Sequence, residues 1–445
     1  MSSAFQRPII TADLEDILYE SNPDELFKLM LREAVLFGAF LFLKQGDFFY
    51  GIEEKEKRLK MAFMKSIRAI PWMIFISADN AWMPEDSEST GQWYPLEVGL
   101  PDYTSRNKLW NHVLRDTDIS ATDINTLAGR FNFNEAQILR AVNYARDIHG
   151  EGHLITLESL YKGCNLKPFS GLDRYSTQIK SHYQWDDLVL ADAPLMHLQE
   201  LANFIINRHI VYYQWGFEKK LSLSRGVNIL FSGTSGTGKT MSASIIANEV
   251  KLALYRVNLS SIVSKYIGET EKNLEKIFND ANAGNVILFF DEADALFGKR
   301  SEVKDAHDRY ANIEINYLLQ KMEVHEGIVI LATNLNKNID DAFLRRMHFT
   351  VEFPFPDAVQ REGLWQKIFP ENVPLSNEIN YQLLGEKLHL SGGNIKNIAL
   401  TAAFYGAKDS SEVTMAHIIK AAEREYHKMG KTFIKSSLAK LLTGQ

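Results

Sequence analysis

The stretch Asn228-Ile-Leu-Phe-Ser-Gly-Thr-Ser-Gly-Thr-Gly-Lys-Thr240 decides how this chain is read. Asn228–Phe231 reads as a short buried strand, and the Ala-rich sequence after Thr240 reads as a helix. Between them, Gly233, Gly238, Lys239 and Thr240 satisfy G-x-x-x-x-G-K-T. The spacing has a physical reason. Glycines let backbone N–H groups turn inward around a phosphate, and the helix that follows adds its positive N-terminal end. The pattern predicts that Gly233, Thr234, Ser235, Gly236, Thr237, Gly238, Lys239, Thr240 and Met241 surround the phosphates of ATP. Lys239 would reach the β- and γ-phosphates, and the Thr240 hydroxyl would ligate Mg²⁺.

A second signal lies downstream. Val286-Ile-Leu-Phe-Phe290 runs directly into Asp291-Glu292-Ala293-Asp294. A continuous apolar run reads as a strand buried on both faces, and open α/β sheets bind ligands at the C-terminal ends of such strands. Asp291 is placed to hold Mg²⁺, and Glu292 to orient and deprotonate an attacking water. The same four letters spell the DEAD motif of RNA helicases. A helicase of that kind needs a second α/β lobe after Phe355, where only about 90 residues of helical character follow.

Outward from these two sites the chain separates into regions. Residues 181–355 alternate short apolar runs at 228–231, 254–258, 286–290, 328–332 and 350–353 with helical patterns. That alternation predicts a parallel five-stranded α/β sheet. Residues 356–430 read as a helical lid domain and 431–445 as a basic tail, while 151–180 read as a linker. Across 445 residues, 45% are hydrophobic and 24% charged, which excludes a disordered chain. One cysteine, Cys164, excludes a disulfide scaffold and fits a reducing compartment. The longest apolar run, Ala34–Leu43, has ten residues, and a membrane span needs about twenty. The start of the chain has no secretory pattern, so a cytoplasmic location is expected. A net charge of −7 carries no nucleic-acid footprint.

Further residues resemble the AAA+ ATPases. Ile330-Leu-Ala-Thr-Asn334 resembles that family's sensor-1 strand, which implies that Asn334 helps to place the lytic water. Ile339-Asp-Asp-Ala-Phe-Leu-Arg-Arg346 resembles its arginine-finger segment, implying that Arg345 or Arg346 reaches the γ-phosphate of a neighbouring subunit. Ser264-Lys-Tyr-Ile-Gly-Glu269 resembles the first pore loop, with Tyr266 as the residue that grips a polypeptide client. Residues 298–311 are a candidate second pore loop or a solvated charged face. Ser391-Gly-Gly-Asn-Ile-Lys-Asn397 resembles the sensor-2 region, where Lys396 either contacts nucleotide or faces solvent. Gln184-Trp-Asp-Asp-Leu-Val-Leu190 resembles the entry segment near the adenine, which makes Asp187 a nucleotide-side candidate.

Self-comparison exposes an internal repeat. Tyr94-Pro-Leu-Glu-Val-Gly-Leu-Pro-Asp102 parallels Phe349-Thr-Val-Glu-Phe-Pro-Phe-Pro-Asp357 at an offset of 255 (352 − 97), which persists at Arg106/Arg361 and Trp110/Trp365. Phe40-Leu-Phe-Leu-Lys-Gln-Gly-Asp47 parallels Ile287–Asp294 at an offset of 247 (287 − 40), and Ile138 parallels Ile395 at 257 (395 − 138). Asp13-Leu14 matches Asn258-Leu259 at 245 (258 − 13), and Asp79 takes the place of Asn334. Residues 1–150 therefore read as a second, degenerate AAA+ domain in which Lys44 and Gln45 replace Asp291 and Glu292. A cation cannot ligate Mg²⁺ and an amide is a poor base. Met1 would fall inside the helix after a phosphate loop. That predicts an upstream portion elsewhere in the natural protein, or an eroded domain.

The resemblance implies a Mg²⁺-dependent ATPase working as a homo-oligomeric ring, a hexamer in this family, on a protein client, with neither nucleic acid nor membrane as partner. Tandem domains with one member degenerate also resemble the ATPases that accompany contractile injection systems. The rival expectation is a nucleotide-gated scaffold with slow or no turnover.

Overall fold

The computed structural model describes residues 6–80, 82–84, 91–149, 154–166, 172–220, 226–258, 262, 269–294, 316–334, 341–409 and 412–432. The chain divides into two compact units, residues 1–99 and 100–445.

In the second unit a six-stranded sheet runs β4-β6-β7-β8-β5-β9. These strands are β4 (Ser176–Ile179), β5 (Val227–Gly233), β6 (Leu254–Val257), β7 (Ile287–Phe290), β8 (Ile328–Thr333) and β9 (Phe349–Phe353). The five strands expected from the apolar runs are parallel to one another. The sixth, β4, is antiparallel to β6 at the edge. It escaped the sequence pattern because Ser-Thr-Gln-Ile has no apolar run; an edge strand half in water needs none. Buried side chains alternate along the sheet, as the two-residue period of a strand demands. Leu230, Leu288, Phe290, Val329 and Leu331 enter one core with Leu274, Ile277 and Phe278 of helix Glu269–Gly284. Ile229, Phe231, Ile287, Phe289 and Ile330 enter the other. There they meet Leu198 and Leu201 of helix Asp192–His209 and Ala243 and Ile246 of helix Lys239–Glu249.

The C-terminal segment is helical as expected, with helices Ala358–Lys367, Tyr381–Lys387, Gly392–Lys408 and Met415–Lys428 around Trp365, Ile395 and Ile398. Residues 100–164 form a second helical layer, with helices Tyr103–Val113, Ala121–Arg130, Glu135–His149 and Leu157–Cys164 around Trp110 and Ile138. It caps the sheet at the end opposite the phosphate loop. The Asn132 N–H donates to Asn285 Oδ1 at 2.8 Å and Gln137 Nε2 to the Ala283 carbonyl at 2.8 Å, both just before β7. Asn165 Nδ2 donates to the Lys251 carbonyl and its Oδ1 accepts from the Ala253 N–H, each at 3.0 Å, just before β6. The stretch 151–180, read as a linker, thus carries helix Leu157–Cys164 and strand β4. Thr156 opens that helix with a capping box, a pattern hidden by the glycines around it.

The two helical layers repeat one another in detail. Arg106 Nε donates to the Ala128 carbonyl at 2.9 Å and Nη1 to Pro101 at 2.5 Å. Arg361 does the same to Gly385 at 2.8 Å and Pro356 at 2.5 Å. Asp102 and Asp357 cap the helices that carry these arginines, and Trp110 and Trp365 are fully buried.

The first unit is a three-stranded parallel sheet of β1 (Ile9–Asp13), β2 (Phe40–Lys44) and β3 (Ile74–Ile76), in that order. Helices Pro23–Leu36 and Glu54–Ala69 provide the crossovers. Leu59, Ala62, Phe63, Ser66 and Ile67 lie on one helical stripe of Glu54–Ala69, and Phe63 stacks on Phe49 at 4.9 Å between ring centres. Its register is that of β6, β7 and β8. Ile9 opposes Phe40 as Leu254 opposes Ile287, and Leu41 opposes Ile74 as Leu288 opposes Val329. No helix among the described residues is long and apolar enough to cross a membrane.

Arg361→Met and Arg106→Met each leave two carbonyls without their donor, so each should cost about 2–4 kcal/mol in urea unfolding. A loss under about 0.5 kcal/mol would rule out these arginines as struts. His325 is 2% exposed and both ring nitrogens lack a hydrogen-bond partner among the described residues. Burial, with the Arg208 charge adding to it, pulls its imidazole down to about 4. The unfolded chain therefore binds the proton more readily. Stability present above about pH 6.5 should be lost as the pH falls toward 4, by up to about 3 kcal/mol. A His325→Leu variant should flatten that acid limb, and an unchanged limb would refute the assignment.

Candidate functional site

Sheet order builds the site. Strands β7, β8 and β5 are neighbours, so their C-terminal ends bring Asp291–Asp294, Asn334 and the loop after Gly233 to one edge. All seven residues of β5 are buried, which fixes where the loop begins.

The loop runs from Gly233 to helix Lys239–Glu249. Gly236 and Gly238 stand at φ of +79° and +104°, where an L side chain is strained. Gly238 is the N-cap and offers no side-chain cap, so the helix's first N–H groups remain for another acceptor. A Cβ on Gly236 would lie 2.7 Å from Ser391 Oγ, and the Gly393 N–H donates to the Gly236 carbonyl at 3.0 Å. The loop is therefore held against the N-terminus of helix Gly392–Lys408. The sensor-2 resemblance of Ser391–Asn397 assigns a contact to Lys396 alone; the paired glycines Gly392 and Gly393 are the sequence signal for this one. Thr237 Oγ1 donates to the Thr234 carbonyl at 2.9 Å and tightens the turn.

Lys239 points inward and is 7% exposed. Its Nζ donates to the carbonyls of Gly233 at 2.5 Å and Thr234 at 3.0 Å, and to Asn334 Oδ1 at 3.0 Å. Burial pulls its ammonium below the ordinary value, against the carboxylates of Asp291 and Asp294. Thr240 and Met241 follow in the first turn, both half-buried.

On the acidic side, Glu292 is exposed and sits at φ +53°. A left-handed non-glycine residue costs on the order of 1 kcal/mol, and here it turns the chain straight off β7. The Glu292 N–H donates to Asp291 Oδ1 at 3.1 Å. Asp294, to which sequence reading assigned no role, is a clasp. It accepts from Thr333 Oγ1 at 2.5 Å, from the Asn334 N–H at 2.7 Å and from Asn334 Nδ2 at 2.9 Å. That orientation leaves Asn334 Oδ1 facing Lys239. The first unit repeats part of this backbone. Gln45 is left-handed at φ +60°, and Asp47 accepts from the Asp79 N–H at 2.9 Å.

The remaining expected residues lie farther out. Asp187 accepts from the Gln184 N–H at 2.8 Å, closing a short 3-10 turn, while its neighbour Leu188 lies against Gly238. Lys396 is exposed on its helix. Arg345 is exposed just after helix Asp341–Leu344, and Arg346 is paired with Glu323. Among the described residues neither arginine touches the loop. Tyr266 and residues 298–311 lie outside the described residues.

The site suits a polyphosphate with a hard cation. The loop offers inward N–H groups and one ammonium, and Thr240 and Asp291 offer oxygen donors. Among the described residues no three His, Cys, Asp or Glu side chains form a cage, and Mg²⁺ bound with phosphates does not require one.

A sheet of this order with such a loop is a P-loop nucleoside-triphosphatase fold. Within it, residues 229–356 match the family described as "ATPase family associated with various cellular activities (AAA)". That segment resembles an AAA-type domain. The chain is similar to Protein CdcH of Halobacterium salinarum, 29% identical over 57% of this chain and 33% of that protein. It is similar to Cell division protein C of Sulfolobus acidocaldarius, 30% identical over 55% of this chain and 64% of that one. It also resembles the 26S proteasome regulatory subunit 6B homolog of Dictyostelium discoideum, 30% identical over 53% and 59%. The matches thus span from a third to just under two thirds of these relatives' lengths.

Asp294→Asn would keep one oxygen for Thr333 Oγ1 and the Asn334 N–H but set an amide donor against Asn334 Nδ2. It should lower nucleotide turnover at least ~10-fold by releasing Asn334, with nucleotide affinity held within ~3-fold. Unchanged turnover would reduce the clasp to scaffolding.

Proposed function

We propose that this chain hydrolyses Mg·ATP and works as an oligomeric protein-remodelling motor. The observation that carries the reading is the convergence of Lys239 Nζ and Asn334 Oδ1 at 3.0 Å beside the left-handed Glu292. In this reading the phosphate loop, Gly233 to Met241, cradles the phosphates. Thr240 and Asp291 would hold Mg²⁺, which would supply charge neutralisation to the phosphates. Lys239 leaves its carbonyl partners for phosphate oxygens. Glu292 takes the proton of the attacking water, and Asn334, oriented by Asp294, positions that water.

Arg345 is the better candidate for the cation that reaches a neighbouring subunit's γ-phosphate, because Arg346 is already paired with Glu323. Asp187 and Lys396 flank the nucleotide as auxiliary contacts. Tyr266 grips the client in the pore of a hexameric ring. The relatives support a protein client over nucleic acid, since one is named a proteasome regulatory subunit and another a Proteasome-activating nucleotidase. A cytoplasmic location follows the same reading.

Residues 1–150 are, on this account, a degenerate AAA+ domain that stiffens the assembly without hydrolysing nucleotide. The shared strand register and the repeated Arg and Trp struts support it. Its helical part extends through Leu157–Cys164, since that helix shares the core with Trp110. A kinship with the ATPases of contractile injection systems belongs to the same reading.

A steady-state assay tests the reading. Glu292→Gln should lower ATP turnover at least ~100-fold while leaving the ATP dissociation constant within ~3-fold, and Lys239→Ala should abolish binding. Binding without turnover in the unaltered chain would favour a nucleotide-gated scaffold. Equal turnover in Glu292→Gln would remove the assigned base.

A further inference from the structure

A second polar cleft lies within the second unit, at the strand ends opposite the phosphate loop. The helical layer 100–164 does not close fully on the sheet there and leaves a half-open space of about 330 Å³, its mouth included. Arg130 and Asn132 line it from the helical layer, and Arg208 from helix Asp192–His209. Asn285 and Glu326 line it from the turns before β7 and β8. Its charged lining is two guanidiniums and one carboxylate, and the carboxylate is the exposed member.

Several donors in this lining are unused. Arg130 is half-buried, with its guanidinium 5.4 Å from the centre of the Tyr161 ring. Its Nη1 donates to Tyr161 Oη at 3.3 Å, its one hydrogen bond among the described residues, where no carboxylate lies within ion-pairing distance of it. A guanidinium carries five N–H donors, so four are left over. Asn285 Oδ1 accepts from the Asn132 N–H at 2.8 Å, which fixes the amide and leaves Nδ2 buried without a partner among the described residues. A buried donor left unpaired is costly and calls for a ligand. The positive field extends to two buried imidazoles. Burial, and then the charges of Arg130 and Arg208, hold His209 below its ordinary range. Burial and the Arg208 charge do the same to His325.

We propose that this cleft is a second anion site, which takes one phosphoryl group as inorganic phosphate or as the head of a small phosphate monoester. The guanidinium fork matches two oxygens of such a group, and a desolvated amide donor matches a third. The donors come from the helical layer, from helix Asp192–His209 and from the end of β7, so they converge on a tetrahedral ion better than on a planar one. Glu326 sets the limit of one phosphoryl group, because it repels the further charges of a polyphosphate. A bound anion would tie the helical layer to the sheet beside the existing bonds of Asn132 and Gln137. The inference does not depend on nucleotide turnover.

The probe is inorganic phosphate in the millimolar range, with chloride at matched ionic strength as its control. With the full chain, phosphate should slow amide hydrogen exchange at 130–133 and 282–286 at least ~3-fold, and chloride should not. The slowing should persist in Lys239→Ala, which separates this cleft from the phosphate loop. Arg130→Met keeps an apolar stem against Tyr161 and removes the fork, so the protection should vanish. Glu326→Gln, at an exposed position, should raise phosphate affinity at least ~3-fold, and this arm decides the matter if Arg130→Met fails to fold. Unchanged exchange in phosphate would leave the cleft to water and overturn the proposal. Equal protection by chloride, protection that survives Arg130→Met, protection lost in Lys239→Ala, or unaltered affinity in Glu326→Gln would each overturn it too. Glycerol 3-phosphate identifies the source: protection by it as well assigns the site to an ester, and protection by phosphate alone assigns it to the free anion, either of which bears the proposal out.

Discussion

The double pairing of β5 is the constraint on which the rest of the second unit depends. A strand buried at all seven residues and bonded to β8 and β9 has no freedom of register. A slip of one residue would turn Ile229 and Phe231 out of one core and Leu230 out of the other. Because the strand cannot slip, Ser232 ends level with Thr333 and Gly233 with Phe353, and the loop that follows opens beside Asn334. The contact between Lys239 and Asn334 is a consequence of sheet pairing before it is a feature of chemistry. The second tie, from Gly393 to the Gly236 carbonyl, couples the loop to the helical segment behind it. A ligand that moves the loop is therefore felt by helix Gly392–Lys408.

The two units show what happens when this constraint is present or absent. Both carry a left-handed residue after the second strand of the shared set, Glu292 and Gln45, and both carry an Asp clasp to the next strand's end. The backbone therefore holds the same costly conformation with an amide side chain at Gln45 as with a carboxylate at Glu292. What the first unit lacks among its described residues is the strand that would carry a phosphate loop.

Much of this was legible in the sequence because the signals are short-range. Continuous apolar runs marked β5 to β9, and the G-x-x-x-x-G-K-T spacing marked the loop after β5. The repeat was legible because Arg106/Arg361 and Trp110/Trp365 are buried in the same way and leave few alternatives at those positions. Strand β4 was not legible, since an edge strand with one wet face needs no hydrophobic pattern. Helix Leu157–Cys164 was masked by neighbouring glycines. Asp294 and the Ser391–Gly393 contact were missed for a different reason. Their partners, Asn334 and Gly236, are distant in sequence and meet only through the sheet order. The pairing of Arg346 with Glu323 was not legible either, since the two are 23 residues apart in sequence.

The pairing of β5 with β8 should bring Lys239 and Asn334 to one phosphate. A structure determined with Mg²⁺ and a non-hydrolysable ATP analogue tests this most directly. Lys239 Nζ should exchange the Gly233 and Thr234 carbonyls for phosphate oxygens, with the γ-phosphate between Lys239 and Asn334 and facing Glu292. A nucleotide bound away from the loop, or Lys239 still held by Gly233 with the analogue in place, would contradict it.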